Sequence, residues 1–392
     1  MEKIVFAPPA SLHAINSLAR RQKLFSMSHA SEVSAARRYG QLLAEQINLT
    51  AIEAGRLAIM VTEAGTNIVK HATDGCLILN ITQHHGRLGI EVLALDKGPG
   101  IANVSQSLRD GVSSTGTAGT GLGAIRRQAD GFDIYSQMEQ GTALYMLVLA
   151  GSDGAAGAAP TLPAAHTAQF ASADSTNLSN PSVGSTTVPN NLLVQNQRQR
   201  LCIGAVCLPL MGEESCGDAW AVDIHSDGAT VLMVDGLGHG DGAADAALAA
   251  ISAFDNQATQ TPEALMWSMH ETLRATRGAA MEIAHLDYLG NKITFVGIGN
   301  LTALILDDQE RHQMVSHNGI VGHNLRKVQS FQGAWRAASS CILCSDGIST
   351  QWNLDHYPAL SACHPSLIAG VIYRDFKRLR DDAMVVVIQR LF

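Results

Sequence analysis

The stretch "TVLMVDGLGHG", residues 230–240, reads as a buried strand that ends on a carboxylate and then breaks into a glycine-rich loop. Its apolar run sets the strand, and Gly236, Gly238 and Gly240 behind Asp235 let the backbone approach a cation. Three further segments repeat the theme: "CGDAW" at 216–220, "CSDGIS" at 344–349 and "RDDAMVVV" at 380–387. Asp218 precedes the strand-like "AWAVDI", Asp346 ends "CILCS", and Asp381 with Asp382 opens the final run "AMVVVI". A single aspartate at a strand edge is ordinarily a turn or cap residue. Several of them in one domain repel each other unless a cation neutralises them. Hard divalent cations want several oxygen ligands, and a pair of them can activate water against a phosphate.

Around these aspartates the second half of the chain is rich in strands. Apolar runs at 201–208, 219–224, 229–234, 281–287, 292–298, 301–306, 340–344 and 383–390 suit two sheets. Helical patterns fall near 241–255, 262–276 and 364–379. Two sheets with helices outside make a four-layer sandwich. His239 reads as a loop-fixing residue, and His317 and His323 as structural or substrate-side groups. Cys341 and Cys344 form a CxxC inside the strand-like "SCILCSD", where buried thiols are the expectation because no second Cys/His pair completes a ligand set.

The first half carries a different constellation. Helical stripes at 31–48 and 51–72 precede strand-like runs at 76–82 and 88–95, a glycine-rich loop, a helix near 121–130 and strands near 132–137 and 142–149. Helices on one face of a mixed sheet are the natural architecture. In "VTEAGTNIVKHA", 61–72, Glu63 and Asn67 are four apart and share a helix face, a pairing that suits a general base beside a Mg²⁺ ligand. In "LALDKGPGI", 93–101, a strand delivers Asp96 as an acceptor for an adenine amino group, and Gly98 and Gly100 permit a tight backbone path. In "STGTAGTGLGAIRRQAD", 114–130, Gly116, Gly119, Gly121 and Gly123 precede a helical pattern whose free amides could hold phosphates. Neither the Walker spacing nor a βαβ dinucleotide fingerprint is present.

The 392 residues suffice for two domains, expected at 1–150 and 196–392. Between them, residues 151–195 are dominated by Ala, Ser, Thr, Asn, Pro and Gly and read as a flexible linker. Residues 1–150 hold 13 Lys/Arg against 12 Asp/Glu, whereas 196–392 hold 14 against 21. An acidic second half fits a carboxylate metal site and argues against nucleic acid. No apolar run is long enough to span a membrane, and "MEKIVFAPPASLHAIN" lacks a signal-peptide core. Seven scattered cysteines point to a reducing, cytoplasmic setting.

The order of boxes over residues 28–149 resembles the GHKL (HATPase) family. The phrases "SEVSAARRYGQLLAEQINLT", "DKGPGI" and "LRDGVSSTGTAGTGLGAIRRQAD" resemble its RsbT/RsbW-like switch and anti-sigma serine kinase branch. That resemblance implies a Bergerat-type α/β sandwich binding Mg-ATP. Glu63 would be the base, Asn67 the Mg²⁺ ligand, Asp96 the adenine contact, and Gly119, Gly121 and Gly123 the phosphate loop. No phosphoacceptor-histidine hairpin precedes the module, which disfavours a two-component histidine kinase. Kinases of this branch can form homodimers, and the residues leave that choice open.

From Leu201 to Leu391 the ordered strings "GDAW", "VDGLGHG", "GIGN", "HNGIVGH", "SDGI" and "RDDA" resemble the PPM-type protein phosphatases of the SpoIIE/RsbX-like branch. This implies a four-layer αββα sandwich around a binuclear Mn²⁺ or Mg²⁺ centre. The Asp235 carboxylate would bridge the metals, Gly236 would lend its carbonyl, and Asp218, Asp346 and Asp381 would complete the set. Asp382 remains an alternative to Asp381. Together the two resemblances imply a partner-switching regulator that phosphorylates a Ser or Thr of a STAS-type (anti-anti-sigma) protein and removes such a phosphate. The alternative is a nucleotide-gated module that controls docking or activity of the phosphatase without kinase activity.

Overall fold

The computed structural model describes residues 22–84, 86–108, 121–151, 201–225, 227–258, 260–307 and 310–391. The expected linker beyond Gly151 and the phosphate-loop residues Gly116 and Gly119 lie outside the described residues.

Two helices open the fold, and local sequence fixes where each begins. Helix α1 (Ala30–Gln46) starts at His29, where Glu32 reaches back to the backbone N–H of the cap. Helix α2 (Ala51–His71) starts at Thr50, whose hydroxyl accepts the Glu53 N–H at 3.3 Å while Glu53 accepts the Thr50 N–H at 2.9 Å. This reciprocal box satisfies two amide donors that the first turn leaves free. Leu57, Met60, Val61, Ala64 and Ile68 then form the buried stripe of α2.

That stripe packs on a five-stranded sheet in the order β1-β2-β3-β5-β4. The strands are β1 (Lys23–Ser26), β2 (Gly75–His84), β3 (Arg87–Asp96), β4 (Gly131–Gln137) and β5 (Gly141–Leu149). Every pairing is antiparallel, so the sheet is not the mixed one expected. Short connections explain the β2–β3 and β4–β5 pairs, since a parallel pair would need a crossover of a dozen or more residues. Helix α3 (Gly121–Gln128) joins α2 on the same side, held where Arg56 donates to Gln128 O at 2.7 Å and to Asp130 at 2.6 Å.

The second half forms two more five-stranded sheets. One has the order β12-β11-β14-β15-β6, built from β6 (Leu201–Leu208), β11 (Thr302–Leu306), β12 (Arg311–Gln313), β14 (Ser340–Cys344) and β15 (Ala383–Arg390). The other runs β13-β10-β9-β8-β7, from β7 (Asp218–Ile224), β8 (Gly228–Gly236), β9 (Ala279–Asp287), β10 (Lys292–Ile298) and β13 (Phe331–Ala334). Val231, Met233, Phe295, Leu343, Val386 and their neighbours fill the space between the sheets. Helices α4 (Asp241–Gln257) and α5 (Pro262–Thr272) cover the outer face of the β7–β10 sheet. Helix α6 (Pro365–Phe376) covers the other sheet, completing the four-layer αββα sandwich.

Helix α6 also faces the first half of the chain. Ile78, Leu93, Leu95, Tyr145 and Leu147 of the N-terminal sheet share one core with Val206, Ile342, Val385, Leu367, Ile368 and Ile372. All ten residues from Pro365 to Arg374 are buried, as a helix enclosed by two sheets requires. The order through the molecule is therefore helices, sheet, α6, sheet, sheet, helices. Glycine makes the close approach possible, because a Cβ at Gly204 of β6 would collide with the backbone of Ser366. At the edge of β6, the Gln22 carboxamide donates to Ala205 O at 2.7 Å and accepts from Cys207 N at 2.8 Å. It caps the free edge as one rung of a strand would.

Candidate functional sites

Asp218 opens β7 and Asp235 nears the end of β8, and the two stand directly opposite one another in the antiparallel ladder. On the facing sheet, Asp346 follows β14 and Asp381 precedes β15, two strands that are themselves paired. Their positions at the ends of paired strands place two carboxylates from each sheet at one end of the sandwich. The backbone N–H of Asp346 donates to the Asp235 carboxylate, which ties the two sheets at this point. Burial and the charges of Asp346, Asp381 and Asp382 push the Asp235 carboxyl up to about 8. Burial and Asp235 push Asp218 well above the usual range, against the Ser345 hydroxyl that donates to it at 2.8 Å. Burial and Asp381 also raise Asp346.

The Asp381/Asp382 pair divides its roles cleanly. Asp382 is buried, and its two oxygens accept the backbone N–H groups of Leu210 and Gly217, each at 2.7 Å. It fixes the β6–β7 loop. Asp381 is half-buried, accepts the N–H of Asp382 at 3.0 Å, and lies beside Asp235 and within hydrogen-bond reach of the Asp346 carboxyl. Gly236, behind Asp235, donates its N–H to Gly217 O at 2.9 Å, and its Cβ position is filled by the backbone of Ala243 in α4. Gly238 and Gly240 take φ of 85° and 72°, left-handed values that suit glycine. His239 bonds Glu213 at 3.0 Å and so joins its loop to the β6–β7 loop.

Among the described residues no group of three or more His, Cys, Asp or Glu side chains closes into a cage around one point. Asp235, Asp346 and Asp381 neighbour one another, with Asp218 beside Asp235. Their chemistry still fits a divalent cation: four oxygen-donor side chains whose mutual repulsion resists full ionisation are what such an ion relieves. Two residues near them had no assigned role in the sequence. Asn300, from the quoted "GIGN", donates to Asp346 at 2.5 Å, and Ser345 bridges Asp218 and the Met384 N–H. Cys341 and Cys344 are fully buried in β14, where burial holds both thiols protonated.

The N-terminal constellation assembles along α2. A Cβ at Gly121 would stand 3.3 Å from both the Glu63 carboxylate and the Asn67 carboxamide, so the start of α3 lies against this pair. One turn further on, a Cβ at Gly98 would stand 3.2 Å from His71 O. The Asp96 loop therefore meets the same helix at its C-terminal end. Asp96 itself accepts the N–H of Gly98 at 2.8 Å and of Thr142 at 3.2 Å, while burial raises its carboxyl. Gly100 takes a φ of 76°, and a Cβ there would strike Gln137 O. Gly123 is buried within α3. The structure thus gathers Glu63, Asn67, Gly121 and the Asp96–Gly98 turn along one helix; Gly119 is not among the described residues.

Residues 27–148 match the model of the histidine kinase-like ATPase domain, and residues 225–391 match that of stage II sporulation protein E (SpoIIE). The chain joins a histidine kinase-like ATPase domain to a SpoIIE domain. The ATPase-like domain is similar to the serine/threonine-protein kinase RsbT of Bacillus subtilis (strain 168), at 29% identity over 111 residues, which is 28% of this chain and 84% of the relative. Three solved structures resemble about half the chain. A bacterial stressosome structure is 25% identical, covers 48% of this chain and 98% of its own, with a TM-score of 0.46. RsbX in complex with magnesium is 18% identical, covers 48% and 95%, with a TM-score of 0.44. The SpoIIE phosphatase domain of Bacillus subtilis is 16% identical, covers 48% and 92%, with a TM-score of 0.36. Among the described residues no helix is long and apolar enough to cross a membrane.

Proposed function

We propose that this chain is a bifunctional, cytoplasmic partner-switching regulator. Its SpoIIE domain removes phosphate from a phosphoserine or phosphothreonine, and its ATPase-like domain phosphorylates such a residue on a STAS-type protein. The observation that carries the phosphatase half is the meeting of Asp235 with Asp346 and Asp381 at one end of the sandwich. Asp218, Asp235, Asp346, Asp381 and the Gly236 carbonyl would hold Mn²⁺ or Mg²⁺. Bound there, two such ions would neutralise the carboxylates and supply an activated water for in-line attack on phosphorus. Asn300 orients Asp346, Ser345 orients Asp218, and Asp382 holds the loop that precedes Asp218.

In the ATPase-like domain, Glu63 lies beside Asn67 and Gly121, where a substrate hydroxyl entering over α2 would meet a carboxylate able to take its proton. Asn67 would hold Mg²⁺ and Asp96 the adenine amino group, with Gly119, Gly121 and Gly123 around the phosphates. The 29% identity to a serine/threonine-protein kinase over most of that relative's length supports this assignment.

The core shared between the two halves favours a second role, in which ATP controls the phosphatase without phosphoryl transfer. Glu63→Ala separates the two. Under the kinase assignment it abolishes phosphorylation of a STAS protein while ATP binding persists. Phosphate release from a phosphoserine protein with Mn²⁺, lost in Asp235→Asn, tests the phosphatase. Equal release by both chains would exclude it.

A further inference from the structure

Arg374 sits in the last turn of α6, within the SpoIIE domain, with its side chain only 6% exposed. Its guanidinium is aimed by Asp375, which accepts from Nε at 2.9 Å and from Nη2 at 2.7 Å. The remaining arm, Nη1, crosses to the other domain and donates to the backbone carbonyl of Asp96 at 2.8 Å. Tyr357 donates to Asp375 at 3.0 Å and steadies the carboxylate that steadies the arginine. A planar, permanently charged fork held on two sides is a rigid donor for the third.

Asp96 is thus gripped at both ends. Its carboxylate is set by the amides of Gly98 and Thr142, and its carbonyl by Arg374. The positive charge also favours the ionised carboxylate against the burial that opposes it. An ionised Asp96 is acceptor-only, the state that an exocyclic amine needs. The same C-terminal end of the helix, two residues on from Arg374, also reaches the metal-site turn. Phe376 O accepts the Ser349 N–H at 2.8 Å, and Arg378 N donates to Gly347 O at 2.7 Å, in the turn that begins with Asp346.

We infer that Arg374 is a positioning residue for the nucleotide site of the neighbouring domain, and that α6 links nucleotide binding to the Asp346 turn. This rests on the assignment of Asp96 to the adenine contact. Removing the guanidinium frees the end of β3, so Asp96 loses the fixed geometry that an adenine would find. Linkage is reciprocal between ligands: a nucleotide that changes cation affinity at the Asp346 turn through α6 has its own affinity changed by the cation by the same factor.

The test is the dissociation constant of a fluorescent, ribose-labelled ATP analogue with Mg²⁺, measured on the full chain. Arg374→Met should weaken binding about 5- to 20-fold, within the usual range of coupling between sites. Arg374→Lys, which keeps a cationic donor, should recover most of the loss. Gln22→Ala, which removes a different bridge between the domains, should leave the constant unchanged. An unchanged constant in folded Arg374→Met would overturn the inference, and so would an equal loss in Gln22→Ala. If Arg374→Met does not fold, Asp375→Asn decides: a loss is expected, and wild-type affinity is the contrary result. No saturable binding by the unmodified chain would instead refute the nucleotide site itself.

Discussion

The carboxylate of Asp382 accepts the backbone N–H of Gly217 at 2.7 Å, joining residues 165 positions apart. Its other oxygen holds Leu210, so both lone-pair faces serve the loop that leads into Asp218. The neighbouring Asp381 has no such duty. Asp382→Ala should therefore unfold more easily, by about 1–3 kcal/mol for each buried amide left without its acceptor. Asp381→Asn should keep its melting temperature and lose phosphatase activity by two orders of magnitude or more. Thermal melts and phosphate release on the two variants check the division; a destabilised Asp381→Asn with intact turnover would reverse it.

Glu91 predicts a pH dependence of domain docking. It lies in β3 under α6, 5% exposed, with Ser366 donating to it at 3.1 Å. His364, stacked on Tyr145 and pushed down to about 3 by burial, is neutral here and supplies no counter-charge. Cys202, Tyr145 and Asp133 complete the neighbourhood. Burial pushes Glu91 up to about 7 from 4.5, so the folded state binds its proton more tightly than the unfolded one. Stability then falls as pH rises from about 4.5 to about 7, by on the order of 3 kcal/mol, and stays low above it. Glu91→Gln should flatten that slope in denaturant titrations at pH 5 and pH 8. A slope unchanged by the substitution would show that Glu91 is not its source.

Gly204 controls how closely α6 approaches β6, because a Cβ there meets the Ser366 backbone rather than a movable side-chain end. Gly204→Ala should cost about 1–3 kcal/mol, the usual range for overpacking. Because α6 serves both sheets, the unmodified chain should melt in one transition. Gly204→Ala should melt earlier, with the N-terminal sheet the first to gain hydrogen exchange. Two transitions in the unmodified chain would contradict the shared core.

Much of this was legible in the sequence. "TVLMVDG" gave a buried strand with a terminal carboxylate, and β8 spans Gly228–Gly236. The T-x-x-E preceding α2 marked its start, and the ladder of aspartates stood at strand ends as expected. What stayed hidden was the second partner of the N-terminal sheet. "CLILNIT" and "LGIEVLAL" are nearly continuous apolar runs, the signature of strands buried on both faces, yet helices were expected on one face only. "SLIAGVIY" in α6 is likewise apolar all round. Both signals were present, but pairing them needs tertiary contact, which periodicity does not carry. Short strands such as β12 and β13, of 3 and 4 residues, carry no legible signal because so few residues show no alternation. Asp381 and Asp382 could not be told apart because adjacent residues differ only in which way the fold turns them.

The account stands most directly on whether both activities reside in one polypeptide. The measurement is phosphate-affinity gel mobility of a STAS-domain protein incubated with Mg-ATP and the Asp346→Asn chain, whose silenced phosphatase lets product accumulate. A shifted band that disappears when Asn67→Ala is added, and that the unmodified chain with Mn²⁺ removes, is the expected result. An unshifted band, with ATP and partner both shown to bind, would contradict the kinase half and leave a nucleotide-controlled phosphatase.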